Sequence, residues 1–164
     1  MPAVDDVVRL LPSVAELEVL VRVVFATLAG AAIGWNRHRA GKPAGMGTHA
    51  LVALGAALFV AVPGHLSGPH SGDALSRVIQ GVATGVGFLG AGEIFRDPDS
   101  VRSVHGLTSA AAIWATAALG VLAVAGSWTT IVAATILILL VLVLAPRLER
   151  KYPSPGGGGN AGRP

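Results

Sequence analysis

Two short stretches of an otherwise apolar sequence carry the side chains that could do chemistry, at positions 37–49 and 93–108. Arginine and lysine beside the amino ends of helices, where backbone N–H groups are unpaired, form sites for phosphate or carboxylate groups. We predict that such a site binds an anion, a lipid head group or an acidic partner. Its residues are Arg37, Arg39, Lys42, Thr48, His49, Arg96, Arg102 and Thr108.

The same residues also have a purely structural interpretation. Thr48 and Thr108 are then only the N-caps of two helices. The arginines then only orient the chain in a membrane, because cytoplasmic loops retain positive charge. The sequence leaves both interpretations open.

Glu93 lies close to one end of an apolar segment, where a carboxylate needs a partner or a function. One interpretation is a salt bridge with Arg96, three residues later in the chain. The other is a polar path lined by Glu93 together with Gln80 and Thr84 of the same segment.

Metal binding is disfavoured by the pattern of charges. Glu93, Asp97 and Asp99 offer the oxygen ligands that Mg²⁺ prefers, but arginines are interleaved among them. Three histidines would bind zinc only if their loops converged; they are His38, His49 and His105. We therefore predict no metal site.

Enzyme chemistry is equally unsupported. The chain has no cysteine, and no nucleophile lies in a recognisable pair with a base. We predict that the protein is not an enzyme, uses no cofactor and binds no nucleic acid.

The stretch Gly85 to Gly90 reads G-V-G-F-L-G, which matches the dinucleotide fingerprint G-x-G-x-x-G. That fingerprint functions only between a strand and a helix, whereas this one lies inside an apolar segment. We reject NAD binding and predict that the glycines are helix-packing contacts, because membrane helices associate through small residues. The predicted packing residues are Gly30, Gly34, Gly81, Gly85, Gly87, Gly90 and Gly92.

The composition indicates a membrane protein. Of the 164 residues, 52% are hydrophobic and 13% are charged, against about 25% charged residues in soluble domains. Five apolar segments each approach the roughly 20 residues that a helix needs to cross a bilayer. The predicted fold is an all-α bundle of five transmembrane helices at 19–35, 46–62, 78–95, 107–125 and 128–145.

Positive charge sets the predicted orientation. Nine of the twelve Lys and Arg residues follow the first, third or fifth segment, which predicts an outer N-terminus and a cytoplasmic C-terminus. A capping box at Ser13 and Glu16 predicts a helix start there. We divide the chain into an N-terminal periplasmic segment (1–18), a membrane domain (19–146) and a disordered cytoplasmic tail (147–164).

A weak internal repeat relates the segments that begin at Ala29 and Val86. Each has a Gly-rich helix end, a basic loop and an Ala-rich helix. Both hairpins run from outside to inside and back, so the pattern predicts a parallel repeat of helices 1–2 and 3–4. Ala- and Gly-rich membrane helices also resemble one another by chance.

Three ordered motifs carry a resemblance to a known family. They are R-x-R-x-G-K-P-A-G-x-x-T-H-A-L-V from Arg37, G-x-G-F-L-G-A-G from Gly85, and G-L-T-S-A-A from Gly106, followed by Trp114. Over about residues 19–150 the sequence resembles the MgtC/SapB family of bacterial inner-membrane proteins. Two positions depart from the family motifs, with Asn36 in place of an acidic residue and Gly47 in place of an arginine.

The resemblance implies a non-enzymatic, multi-pass protein of the bacterial inner membrane. It implies adaptation to low magnesium, or envelope and energy homeostasis, through binding of a membrane partner. The alternative is a small oligomeric transporter or channel for an ion or solute. The bilayer, a membrane protein complex and further copies of the chain are the expected partners, and we expect the membrane domain without the C-terminal soluble domain of virulence-associated members.

Overall fold

The computed structural model describes residues 13–64, 71–96 and 104–151. These residues form five helices: α1 (Val14–Arg39), α2 (Met46–Gly64), α3 (Ser71–Glu93), α4 (Leu107–Ala125) and α5 (Trp128–Lys151). The prediction of an all-α bundle of five helices is confirmed. A pair of two-residue strands, β1 (Phe95–Arg96) and β2 (Val104–His105), was not predicted and joins the end of α3 to the start of α4.

Four of the helices, α1, α3, α4 and α5, are long and apolar enough to cross a membrane. The apolar part of α2, Met46–Val62, is shorter. A bilayer crossing needs roughly 20 residues, and tilt and bilayer thinning accommodate small differences in length. The chain is therefore a multi-pass membrane protein, and its orientation stays a prediction.

The predicted capping box starts α1. The Ser13 hydroxyl accepts a hydrogen bond from the Glu16 backbone N–H at 3.2 Å, and the Glu16 carboxylate accepts one from the Ser13 backbone N–H at 2.7 Å. The last turn of the helix contains Arg37 and Arg39, whose positive charge suits the carboxyl end of a helix dipole. These features extend α1 beyond the predicted apolar segment at both ends.

Helices α1, α2 and α4 form the centre of the bundle, and small residues allow their backbones to approach closely. A Cβ added to Gly120 of α4 would overlap the carbonyl oxygen of Ala53 and lie 2.9 Å from the Ala56 Cβ, both on α2. Further buried residues complete this core: Ala26, Ala29, Ile33, Ala57, Leu119, Ala123 and Ile131.

Helices α3 and α5 lie at the periphery. Ile131 is the buried residue of α5, and the other side chains of this helix are exposed or partly buried. On α3, Val86 and Gly90 are buried and most other described side chains are exposed. The membrane domain therefore has a three-helix core, and α3 and α5 pack against it through few buried residues.

Arg22 links α1 to the turn between α4 and α5, at the end of the bundle opposite Arg37. Its Nη1 donates to the carbonyl oxygens of Ala123 at 3.0 Å and Gly126 at 2.9 Å. The guanidinium also lies 4.9 Å from the centre of the Trp128 ring and pairs with Glu18 at 3.0 Å. The pair with Glu18 follows from the sequence spacing, but the contacts with the α4–α5 turn do not.

We expect Arg22→Met to destabilise the folded protein by about 1–3 kcal/mol, because two partly buried carbonyl groups lose their donor. Glu18→Gln is the matched control and should cost about 0–1 kcal/mol, since an exposed ion pair contributes little. Reversible unfolding in one detergent measures both. Equal losses in the two variants would show that the carbonyl contacts add nothing.

Candidate functional site

A buried group of polar side chains lies where four helices converge. It consists of Arg37 from α1, His49 from α2, Glu93 from α3 and Ser109 from α4, which we call the four-helix cluster. Arg37 is 3% exposed and donates from Nη2 to the Ser109 hydroxyl at 2.6 Å. His49 is fully buried, and Glu93 is partly buried. The cluster joins residues that lie up to 72 positions apart.

Two glycines of α1 bring Arg37 and His49 together. A Cβ added to Gly34 would lie 2.5 Å from the Met46 Cα, and one added to Gly30 would lie 2.6 Å from the His49 carbonyl oxygen. Only glycine permits so close an approach of two backbones. The first turn of α2 consequently packs directly against the last turns of α1, and both polar side chains are buried there.

Gly106 and the short strand pair position Glu93 and Ser109. Gly106 has a φ of 89°, a left-handed conformation that glycine adopts without strain. A Cβ at this position would overlap the Glu93 carbonyl oxygen. The backbone before α4 therefore lies directly on the end of α3, which brings the fourth member of the cluster beside the others.

Three polar atoms of the cluster are buried without a hydrogen-bond partner among the residues that the structure describes. They are Arg37 Nε, His49 Nε2 and Glu93 Oε2. All three pairs of these groups lie close enough to interact electrostatically. His49 Nδ1 is already engaged, at 2.9 Å from the Gly45 carbonyl oxygen. An unpaired buried polar atom costs about 1–3 kcal/mol, so three of them within one cluster mark an incompletely satisfied polar site.

Of the eight predicted anion-site residues, the structure brings Arg37 and His49 together. Arg39, Lys42, Thr48 and Thr108 are exposed. Arg96 lies in β1, its side chain is outside the described residues, and so is Arg102. Because the Glu93 carboxylate interacts electrostatically with Arg37, the two opposite charges in the described part of the cluster make it less suited to an anion.

Neither threonine is an N-cap. Gly106 precedes α4 and is its N-cap, so Thr108 lies in the first turn. Helix α2 begins at Met46, which likewise places Thr48 in the first turn. The structural interpretation of both threonines as caps is therefore wrong.

The predicted polar path does not lie on one helix face, because Glu93 points away from Gln80 and Thr84. Thr84 donates to the Gln80 carbonyl oxygen at 2.8 Å, Gln80 donates to Ser76 at 3.3 Å, and both are exposed. Glu93 follows Thr84 by nine residues, which is a rotation of about 180° around a helix. Within the chain, Gln80 and Thr84 therefore point away from the four-helix cluster.

Among the described residues, no group of three or more His, Cys, Asp and Glu side chains could hold a metal ion. His38 and His105 are exposed, whereas His49 is buried. Asp97 and Asp99 lie outside the described residues. The positive charge of Arg37, which interacts electrostatically with Glu93, opposes binding of a free cation at this carboxylate.

The predicted packing glycines fall into two groups. Gly30 and Gly34 contact α2 as described, and a Cβ on Gly90 would lie 3.5 Å from the Ala110 Cβ on α4. No described atom outside the local helix lies within 4 Å of a Cβ added at four others; these are Gly81, Gly85, Gly87 and Gly92. Their packing against another chain stays a prediction.

Gly81 and Gly85 line an apolar groove of about 580 Å³ between α2 and α3. We call this surface the α2–α3 groove, and Leu51, Gly55, Phe59 and Leu89 also line it. The flanking Phe59 and Leu51 are exposed. The described residues thus leave a glycine-bearing face of α3 uncovered.

The sequence matches the MgtC family profile over residues 23–151. The chain belongs to the MgtC family. Protein SrpB of Synechococcus elongatus is 52% identical over 137 residues, which are 79% of this chain and 75% of that protein. No solved structure matches the chain.

Two longer relatives are more distant. The Putative magnesium transporter YhiD of Escherichia coli is 41% identical over 76% of this chain and 59% of its own length. Protein MgtC of Salmonella typhimurium is 40% identical over 76% of this chain and 51% of its own length. The chain therefore matches little more than half the length of these two relatives.

The four-helix cluster lies in or beside the motifs that indicated the family. Arg37 and His49 belong to the first motif, Glu93 directly follows the second, and Ser109 belongs to the third. Sequence reasoning missed Ser109, although its place beside Thr108 in the third motif was the available signal. The motifs that identify the family therefore contain or directly precede all four residues of the four-helix cluster.

Proposed function

We propose that this protein is a non-enzymatic component of the bacterial inner membrane that binds a helix of a partner membrane protein. The observation that carries the proposal is the uncovered glycine face of α3 in the α2–α3 groove. Its role would lie in adaptation to low magnesium or in envelope and energy homeostasis.

The physical argument rests on how helices associate in lipid. Apolar side chains gain little by leaving lipid for a protein surface, so close backbone packing at small residues drives association. Gly34 and Gly120 show such packing inside this chain. Gly81 and Gly85, spaced four residues apart, offer an equivalent surface with no partner among the described residues. A transmembrane helix with small residues of its own fits this surface.

The magnesium aspect rests on relatedness. YhiD of Escherichia coli carries the name of a putative magnesium transporter, and this chain covers 59% of that protein. From that name we apply to this chain only the link to magnesium. The described residues support partner binding more directly than passage of an ion.

A small oligomeric transporter is the second candidate. It is favoured by the four-helix cluster, because charged groups buried within a membrane domain often mark ion pathways. In this case Glu93 would line the path, and other copies of the chain would complete it.

Purified protein in liposomes separates the two candidates. We expect no Mg²⁺ flux above that of empty liposomes, because the positive charge of Arg37 acts on the carboxylate that a cation would need. Flux that disappears in Glu93→Gln and persists in Gln80→Ala, both correctly inserted, would overturn the proposal in favour of transport. Glu93→Gln keeps the shape of the side chain and removes only its charge.

A further inference from the structure

The free atoms of the four-helix cluster have complementary hydrogen-bonding roles. A backbone carbonyl only accepts, so the contact with Gly45 requires that His49 Nδ1 carries the proton. In the neutral ring Nε2 is then an acceptor. Arg37 Nε is a donor, and the carboxylate oxygen Glu93 Oε2 is a second acceptor. The cluster therefore presents one donor and two acceptors that lack described partners.

We propose that Arg37, His49 and Glu93 bind one buried water molecule that connects all three. Water donates two hydrogen bonds and accepts others, so a single molecule satisfies two acceptors and one donor. Buried waters typically make about three such bonds to otherwise unsatisfied groups. The three side chains come from α1, α2 and α3, so the water would tie three helices together at one point.

Other small ligands fit these groups less well. An anion would meet the Glu93 carboxylate, and a cation would meet the Arg37 guanidinium, each at a like charge. A ligand with only donors, such as ammonium, would leave Arg37 Nε unpaired. Water has no net charge and has both donor and acceptor capacity, so it matches the described part of the cluster.

The proposal predicts a specific state of His49. Solid-state NMR of the full chain, labelled with ¹⁵N at histidine and reconstituted in liposomes at neutral pH, reports the protonation of each ring nitrogen. We expect a protonated Nδ1 and an unprotonated Nε2 that shows a cross-peak to water. The spectrum of His49→Gln identifies the signal, and exposed His38 is the positive control for water contact.

A protonated Nε2, or an Nε2 without water contact while His38 shows it, would overturn the proposal. A second comparison uses Glu93→Gln and Glu93→Leu. Glutamine retains an acceptor oxygen and should keep the cross-peak, whereas leucine removes the acceptor and should abolish it. A cross-peak that survives in a folded Glu93→Leu variant would show that the water does not depend on this carboxylate. The wild-type measurement decides the matter if the leucine variant fails to fold.

Discussion

Replacing Glu93 by leucine is expected to destabilise the protein by about 1–3 kcal/mol, because the buried Arg37 guanidinium then loses its electrostatic interaction with this partly buried carboxylate. Arg37 is 3% exposed, so bulk solvent cannot replace the carboxylate without a rearrangement of the helices. The Glu93 carboxylate interacts electrostatically with both Arg37 and His49. Unfolding free energies of wild type and variant in the same detergent measure the loss.

The double variant Arg37→Met with Glu93→Leu is the control for this prediction. Replacing both charges of a buried pair by apolar groups is often neutral or stabilising, whereas removing one is costly. We therefore expect the double variant to recover most of the stability that Glu93→Leu loses. Additive losses from the two substitutions would contradict electrostatic coupling between Arg37 and Glu93.

The second large effect concerns two glycines in different surroundings, one packed against another helix and one not. Gly34→Ala places a Cβ 2.5 Å from the Met46 backbone, and overpacking of this kind costs about 1–3 kcal/mol. Gly85→Ala places its Cβ where no described atom outside its own helix lies within 4 Å, and it should stabilise the helix by up to about 1 kcal/mol, since alanine favours a helix more than glycine does. Thermal unfolding of both variants in one detergent tests the difference.

A shift of melting temperature in the same direction for both glycine variants would contradict this account of helix packing. Gly81→Ala is a further control, because its Cβ also meets no described atom within 4 Å. It should behave like Gly85→Ala and unlike Gly34→Ala.

Local features of the fold could be predicted from the sequence, and long-range contacts could not. Three of these local features depend on residues within one helix: the apolar segments, the capping box at Ser13, and the pair of Glu18 with Arg22. The bond from Arg37 to Ser109 spans 72 positions and depends on how α1 and α4 pack. Spacing alone does not contain that information.

The glycine pattern shows the same limit. Gly30 and Gly34 have the same four-residue spacing as Gly81 and Gly85, and the sequence predicts packing for both pairs. The first pair contacts α2 within the chain, whereas the second meets no described atom within 4 Å. A small-residue track therefore predicts a surface suited to a helix, but its partner depends on the tertiary arrangement.

The central claim, that the glycine face of α3 binds a helix of another membrane protein, is tested most directly by photocrosslinking in native membranes. A photoreactive amino acid at position 85 should form a discrete adduct between this chain and a second protein. The same group at position 137, on the exposed side of α5, should form adducts only with lipid. Lipid adducts alone at both positions would contradict the claim, and an adduct of two copies of this chain would replace the proposed partner by self-association.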